Sequence, residues 1–141
     1  MRLEDKIKII PRKKLQDERG WFLKVIDGKE ENLPDYTGEI YITSAVKDEV
    51  RGNHYHKKAT EWFTLIQGKA DLILEDINTN ERLEMKLDSE NPFTVVIPPF
   101  IAHAFVNKIE EPFILVAYTD ELYDPKDTVS YILYERNKDG E

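Results

Sequence analysis

Three histidines and one glutamate carry the most specific chemical signal of this 141-residue chain. His54 and His56 lie one residue apart in a predicted strand, so both side chains point to the same face. The apolar run that begins at Trp62 predicts a returning strand, which brings Glu61 beside them. His103, the remaining histidine, follows an apolar segment and two prolines. We therefore predict that the four side chains converge.

Three imidazoles and one carboxylate form a ligand set for a divalent transition metal, and they leave coordination positions for water or substrate. The chain has no cysteine, so thiolate ligands and disulfides are excluded. A lone histidine on a strand is more often a surface or hydrogen-bonded residue than a ligand. The combination of three histidines and one glutamate at these spacings, however, rarely arises by chance. We expect one divalent ion, with zinc favoured over manganese, iron or nickel, on the set His54, His56, Glu61 and His103.

The composition describes a folded domain with a charged surface. Hydrophobic residues make up 40% of the chain and charged residues 34%, which is typical of one core in a solvated shell, and we expect residues 1–141 to form a single domain. The net charge of −8 repels phosphate backbones, so no nucleic-acid partner is expected. The charged N-terminus lacks the apolar core of a signal peptide, and no apolar run has membrane-spanning length. These features predict a cytoplasmic protein without a membrane partner.

The hydrophobic pattern predicts an all-β chain. Short apolar or alternating segments recur at roughly ten-residue spacing, which indicates an antiparallel sandwich or barrel. The predicted strands cover residues 6–11, 21–26, 39–46, 62–66, 70–75, 82–87, 92–97, 102–106 and 112–119, and the histidine pair lies on a further one. The first of them ends in proline, as edge strands do. Its exposed edge predicts pairing with a second copy of the chain, and so a homodimer.

The ligand-bearing stretch resembles the first motif of the cupin superfamily. The matching run is His54-x-His56-x4-Glu61-x6-Gly68, and Asp48 stands where the motif has its leading glycine. This resemblance implies a double-stranded β-helix, the small jelly-roll barrel, with the four metal ligands inside its mouth.

A second cupin motif is similar from Pro98 through His103 to Asn107, with Phe100 at the position where glycine is usual. Glycine suits a turn that needs positive φ, which phenylalanine adopts only with strain. We therefore expect this loop to be built differently, with Pro99 setting the turn.

Further motifs resemble enzymes that act on nucleotide sugars. Four segments are similar, in the same order, to the nucleotide-sugar 3,5-epimerases of the deoxyrhamnose pathway: residues 17–22, 51–55, 97–105 and 123–125. Those epimerases usually have glutamine where His56 stands and carry no metal in the barrel. The stretch from Arg51 to Glu61 looks closer to the C-terminal zinc cupin domain of capsular polysaccharide epimerase-reductases. The run His-x-His-Lys is also similar to 3,4-ketoisomerases of 4-keto-6-deoxy nucleotide sugars.

These resemblances imply a sugar-nucleotide isomerase or epimerase of polysaccharide or deoxysugar biosynthesis, which moves a proton next to the ketone of a 4-keto nucleoside-diphosphate hexose. They assign Arg19, Arg51 and Asn53 to substrate binding, and the guanidinium groups of the two arginines suit a diphosphate. They make Tyr123 the acid and His54 the base of the metal-free form. A metal-bound imidazole has already donated its lone pair, so the base is a different group if a metal is present.

Other interpretations of the same residues stay open. A complete ligand set also favours a metal-binding cupin of unrelated activity, such as a small-ligand sensor, a dioxygenase or a sugar isomerase. Tyr123 belongs to an aromatic tail that can simply pack on the barrel, and both arginines can form structural ion pairs. The patterns around Arg51 and Tyr123 favour sugar nucleotides over these alternatives.

Overall fold

The computed structural model describes residues 1–135, which form one helical turn and twelve strands. Their bounds, in chain order, are α1 (Leu3–Lys6), β1 (Lys8–Pro11), β2 (Lys14–Asp17), β3 (Gly20–Leu23), β4 (Glu39–Ala45), β5 (Val50–His56), β6 (Glu61–Gln67), β7 (Lys69–Asp76), β8 (Arg82–Asp88), β9 (Phe93–Ile97), β10 (Ile101–Val106), β11 (Phe113–Thr119) and β12 (Thr128–Ser130). None of the described helices has the length and hydropathy that a membrane span requires.

The strands form two five-stranded sheets and one separate hairpin. The first sheet has the order β1-β9-β6-β11-β4, the second has the order β12-β5-β10-β7-β8, and β2 pairs with β3. All strand pairs in the described residues are antiparallel. The inner faces pack against each other through side chains such as Phe63, Leu72, Phe105 and Phe113. The predicted all-β jelly-roll barrel is therefore confirmed.

Two strands were not predicted, and two predicted strands differ from the observed ones by two or more residues at one end. The segment 6–11 begins in the last residue of α1 and is a strand only from Lys8, while the segment 21–26 ends as a strand at Leu23. β2 and β12 carry no alternating pattern that would reveal them, because neither contains a buried residue. Pairing with a neighbouring strand, rather than burial of one face, forms these two elements.

Three turns of the cupin motifs share a left-handed backbone. Asp48, Gly68 and Phe100 have φ angles of 70°, 85° and 66°. The expectation that Pro99 replaces a left-handed residue in the last turn is wrong, since Phe100 itself adopts that conformation. Hydrogen bonds on both sides hold it there: its N–H donates to the carbonyl of His56 at 2.8 Å, and its carbonyl accepts from Ile77 at 3.2 Å.

A β-bulge in β5 sets the direction of the histidine pair. His103 lies opposite His54, but the next residue of β10 lies opposite Gly52, so Asn53 is the extra residue. The φ angles of Gly52 and Asn53 are 104° and 59°. Arg51 and His54 are three positions apart and would face opposite sides of a regular strand. The bulge brings both onto the wall of one cavity.

We predict that Gly52→Ala disrupts this bulge. A Cβ at position 52 would lie 2.6 Å from the carbonyl oxygen of His103, and a left-handed non-glycine residue costs about 1–3 kcal/mol before any clash is counted. Gly28→Ala is the matched control, because a Cβ there meets nothing within 4 Å. Urea denaturation should show a lower free energy of unfolding for Gly52→Ala alone. Equal stability of the two variants would contradict the role of the bulge.

Candidate active site

The structure brings together the four side chains that the sequence singles out. His54 and His56 lie on β5, Glu61 begins β6, and His103 lies on β10. One ligand atom from each lies within 4.8 Å of the others. Oε1 of Glu61 is 2.7 Å from Nε2 of His56 and 3.5 Å from Nε2 of His103. We refer to these four residues as the His/Glu cluster.

Three buried atoms of the His/Glu cluster have no hydrogen-bond partner. They are Nε2 of His56, Oε1 of Glu61 and Nε2 of His103, and no other buried side-chain nitrogen or oxygen in residues 1–135 is left unsatisfied. The short distances from Oε1 of Glu61 to the two Nε2 atoms are therefore not hydrogen bonds. An unsatisfied buried polar group costs about 1–3 kcal/mol, so a ligand that binds all three atoms would remove a substantial cost. The donor set and its burial fit a divalent transition metal.

Burial and mutual contact set the protonation of the cluster. Burial, reinforced by His103 and His56, lowers the pKa of His54 to about 4. Burial alone would raise the pKa of Glu61, but His103 and His56 outweigh it and hold the pKa below its usual range. Burial would lower the pKa of His56, but the Glu61 carboxylate reverses the effect and raises it. His54 is therefore neutral and Glu61 ionised at neutral pH, as metal ligands must be.

Partners outside the cluster orient two of the imidazoles. Nδ1 of His103 lies 3.2 Å from the carbonyl of Ile101. Nδ1 of His56 lies 3.4 Å from Oγ1 of Thr128 and 4.0 Å from a carboxylate oxygen of Asp127. The carbonyl of Ile101 can only accept, so this contact favours a proton on Nδ1 of His103 and leaves its Nε2 to face the centre of the cluster. The Thr128 hydroxyl contacts Nδ1 of His56, which also leaves Nε2 of that ring towards the centre.

Tyr41 is a site residue that the sequence interpretation missed. Its hydroxyl donates to Oε2 of Glu61 at 2.9 Å. Burial, together with the charges of Glu61 and Glu39, raises the pKa of Tyr41 above its ordinary value, so it stays protonated. In the sequence, Tyr41 alternates with Thr43 and Ala45, and this pattern could have indicated that Tyr41 lies on the inner face of β4.

Asp127 was also missed. Its carboxylate is buried and accepts hydrogen bonds from the backbone N–H groups of Lys57, Lys58 and Ala59 at 2.9, 2.8 and 3.2 Å. These contacts hold the loop that connects β5 to β6, and so fix His56 relative to Glu61. No local sequence pattern could have predicted these hydrogen bonds, since the partners are about seventy residues apart in the chain.

Two adjoining cavities meet at the His/Glu cluster. The larger, of about 290 Å³, contains Tyr123 together with His54 and His56. The smaller, of about 200 Å³, contains Arg51 together with His54 and His103. Tyr41 and His54 line both cavities. The structure thus places Arg51 and Tyr123 in different cavities, each of which reaches the cluster.

The other two predicted substrate-binding residues lie elsewhere. The amide of Asn53 donates to the carbonyl of Tyr134 at 2.9 Å and accepts from the N–H groups of Leu133 and Tyr134. Arg19 lies in the turn of the β2–β3 hairpin, where its 85% exposed side chain pairs with Asp17. Within this chain neither side chain lines the two cavities. Their substrate contacts stay predictions.

Comparison with known proteins places this geometry in a family. Residues 15–131, which include the whole His/Glu cluster, match the family model described as the polysaccharide biosynthesis C-terminal domain. The chain belongs to this family. A curated relative of this polysaccharide biosynthesis domain is the spore coat polysaccharide biosynthesis protein SpsL of Bacillus subtilis, which is 25% identical over 126 residues; the match covers 86% of this chain and 83% of SpsL.

Solved structures resemble the polysaccharide biosynthesis domain over most of its length. A dTDP sugar isomerase from Desulfovibrio desulfuricans superposes with a TM-score of 0.82 at 17% identity, covering 94% of this chain and 85% of the isomerase. QdtA, a sugar 3,4-ketoisomerase from Thermoanaerobacterium thermosaccharolyticum in complex with TDP, superposes with a TM-score of 0.72 at 25% identity, covering 95% and 90%. These likenesses confirm the cupin fold and the resemblance to nucleotide-sugar cupins.

Proposed function

We propose that this chain is an epimerase or ketoisomerase that transfers a proton next to the ketone of a 4-keto nucleoside-diphosphate hexose. The observation that carries the proposal is that Arg51 and Tyr123 line two different cavities, both of which reach the buried His/Glu cluster. Such chemistry needs a cation for the diphosphate, stabilisation of an enolate and a proton donor. The named activities of the isomerase and of QdtA support this reaction class.

Charge determines how the substrate lies in the site. The larger cavity is lined by five carboxylates, those of Glu39, Glu61, Glu121, Asp124 and Asp127, whereas none of the described residues that line the smaller cavity is acidic. A diphosphate is repelled by the first and attracted to Arg51 in the second. Nε of Arg51 donates to the carbonyl of Ser44 at 2.6 Å, which fixes the guanidinium. The sugar then extends from Arg51 towards the cluster and Tyr123.

The His/Glu cluster is proposed to hold one divalent ion, with zinc favoured. Bound there, the ion would supply a Lewis acid for the developing enolate oxygen. The lowered pKa of His54 supports a ligand role, because an unprotonated imidazole binds a metal ion without first losing a proton. His54 is the base predicted for the metal-free form, but the same lowered pKa makes it a poor proton acceptor at pH 7.

Tyr123 is proposed as the acid. Its side chain is 70% exposed and lines the larger cavity beside His54 and His56. Its backbone N–H donates to Oε1 of Glu39 at 2.6 Å, and this bond ties the tyrosine-bearing segment to β4. With the diphosphate at Arg51 in the smaller cavity, a phenol in the larger cavity is available to donate a proton to one face of the enolate.

Deuterium exchange tests the reaction. In D₂O with Zn²⁺, the protein should incorporate solvent deuterium next to the ketone of TDP-4-keto-6-deoxyglucose or a related 4-keto sugar, as followed by NMR. Tyr123→Phe should slow product formation about 100-fold or more, and more than it slows exchange. Tyr118→Phe is the control, because Tyr118 packs against Trp62 away from both cavities. Absence of exchange from every 4-keto sugar tried would refute the proposal.

Metal analysis tests the cofactor. Protein reconstituted with Zn²⁺ and passed through a desalting column should retain about one ion per chain. The double variant His54→Ala/His103→Ala should retain almost none, because half of the donor set is removed. Asp124→Asn, which alters a carboxylate of the same cavity outside the cluster, should retain the full amount. The same low metal content in all three proteins would show that the site does not bind metal.

We also propose a homodimer. The first sheet ends in β1 and β4, and the outer face of β4 exposes Ile40 and Ile42 by 63% and 67%. The β2–β3 hairpin also exposes Trp21 and Phe22, by 47% and 60%. Apolar side chains this exposed beside a strand edge are typical of a surface that a second subunit covers. The proposed interface thus includes the outer face of β4.

The dimer is checked by light scattering at micromolar concentration. The unaltered protein should have a mass of about two chains, and Ile42→Glu should lower it towards one, because a buried unpaired carboxylate opposes association. Ile132→Glu is the control; Ile132 is 57% exposed but lies in the C-terminal segment. A one-chain mass for the unaltered protein would rule the dimer out, and a two-chain mass for Ile42→Glu would place the interface elsewhere.

A further inference from the structure

The two oxygens of the Glu61 carboxylate have different surroundings. Oε1 faces Nε2 of His56 at 2.7 Å and Nε2 of His103 at 3.5 Å, with no hydrogen bond. Oε2 accepts a hydrogen bond from the hydroxyl of Tyr41 at 2.9 Å. The carboxylate is therefore oriented with one oxygen towards the imidazoles and the other towards a phenol.

Tyr41 reaches Glu61 across an intervening strand. β11 separates β4 from β6, and Ala117 is the β11 residue directly opposite Tyr41. The methyl side chain of Ala117 leaves room for the tyrosine ring to pass over β11 on the inner side of the barrel. Glu61 lies further along, opposite Thr119 of the same strand, so the contact runs diagonally.

Because Glu61 is buried, few groups other than Tyr41 are available to hydrogen-bond its carboxylate. Glu61 is only 3% exposed, so bulk water does not solvate Oε2. Among the described residues, Tyr41 is the one hydrogen-bond donor to the Glu61 side chain. Without it, the carboxylate could rotate about its last torsion, which is soft in glutamate, and exchange the roles of its oxygens.

We infer that Tyr41 is a positioning residue for the proposed metal site: its hydroxyl holds Oε2 of Glu61, so that Oε1 alone is presented with the imidazole nitrogens to a divalent cation. The inference rests on the proposed metal binding by the His/Glu cluster. Hydrogen bonds to metal-ligating carboxylates fix their orientation, and loss of such a partner typically lowers metal affinity about 10- to 100-fold. Tyr41 acts in this way on the ligand, not on the substrate.

Competition for Zn²⁺ with a chromogenic chelator measures this role without any substrate. Tyr41→Phe should bind Zn²⁺ about 10- to 100-fold more weakly than the unaltered protein, while still taking up about one ion at saturation. Tyr123→Phe removes a phenol from the same cavity that does not touch Glu61, and it should keep the affinity of the unaltered protein. Circular dichroism of the metal-free variants confirms that each is folded.

A double-mutant cycle with Glu61→Ala shows whether Tyr41 acts through Glu61. Adding Tyr41→Phe to Glu61→Ala, which keeps three imidazoles, should weaken Zn²⁺ binding no further. An equal loss in both backgrounds, or equal affinities of Tyr41→Phe and Tyr123→Phe, would overturn the inference while leaving the metal site intact. Failure of the unaltered protein to bind Zn²⁺ would instead refute the metal site itself.

Discussion

The burial of the Glu61 carboxylate among three imidazoles is the constraint on which the rest of the site depends. Glu61 is 3% exposed and His103 is 1% exposed, yet both present atoms without a hydrogen-bond partner to a common space. A folded chain keeps such unsatisfied groups only where their arrangement is useful, because each opposes folding. Tyr41 contacts Oε2 of Glu61 and the carbonyl of Ile101 contacts Nδ1 of His103, so the unsatisfied atom of each residue is turned towards the common space.

Two devices position the cluster, and the C-terminal segment takes part in both. The bulge at Gly52 and Asn53 turns His54 inward, and the Asn53 amide is bound by the backbone of Leu133 and Tyr134. Asp127 holds the loop between the two ligand-bearing strands through three backbone N–H groups. The geometry of the site thus depends on the whole barrel, because residues distant in sequence hold both the bulge and the loop between β5 and β6.

The sequence was sufficient where a local rule governs the structure. Alternation along a strand placed His54 and His56 on one face, and the turn before Trp62 returned Glu61 to them. It was insufficient where tertiary contacts override the rule. Regular alternation places Arg51 opposite to His54, and only the bulge, visible in the β5–β10 register, brings them together. The sequence could not identify Glu61 as the partner of Tyr41. That contact depends on β11 lying between β4 and β6, and on the small side chain of Ala117 opposite Tyr41.

X-ray absorption spectroscopy of the Zn²⁺-loaded protein tests the central claim most directly, because it reports the atoms that bind the ion. We expect a first shell of about three imidazole nitrogens and one carboxylate oxygen, with the multiple-scattering pattern of histidine, at distances near 2.0–2.2 Å. A shell of oxygen atoms without imidazole scattering would contradict it. Such a spectrum would mean that the unsatisfied atoms of His56, Glu61 and His103 serve a purpose other than metal binding.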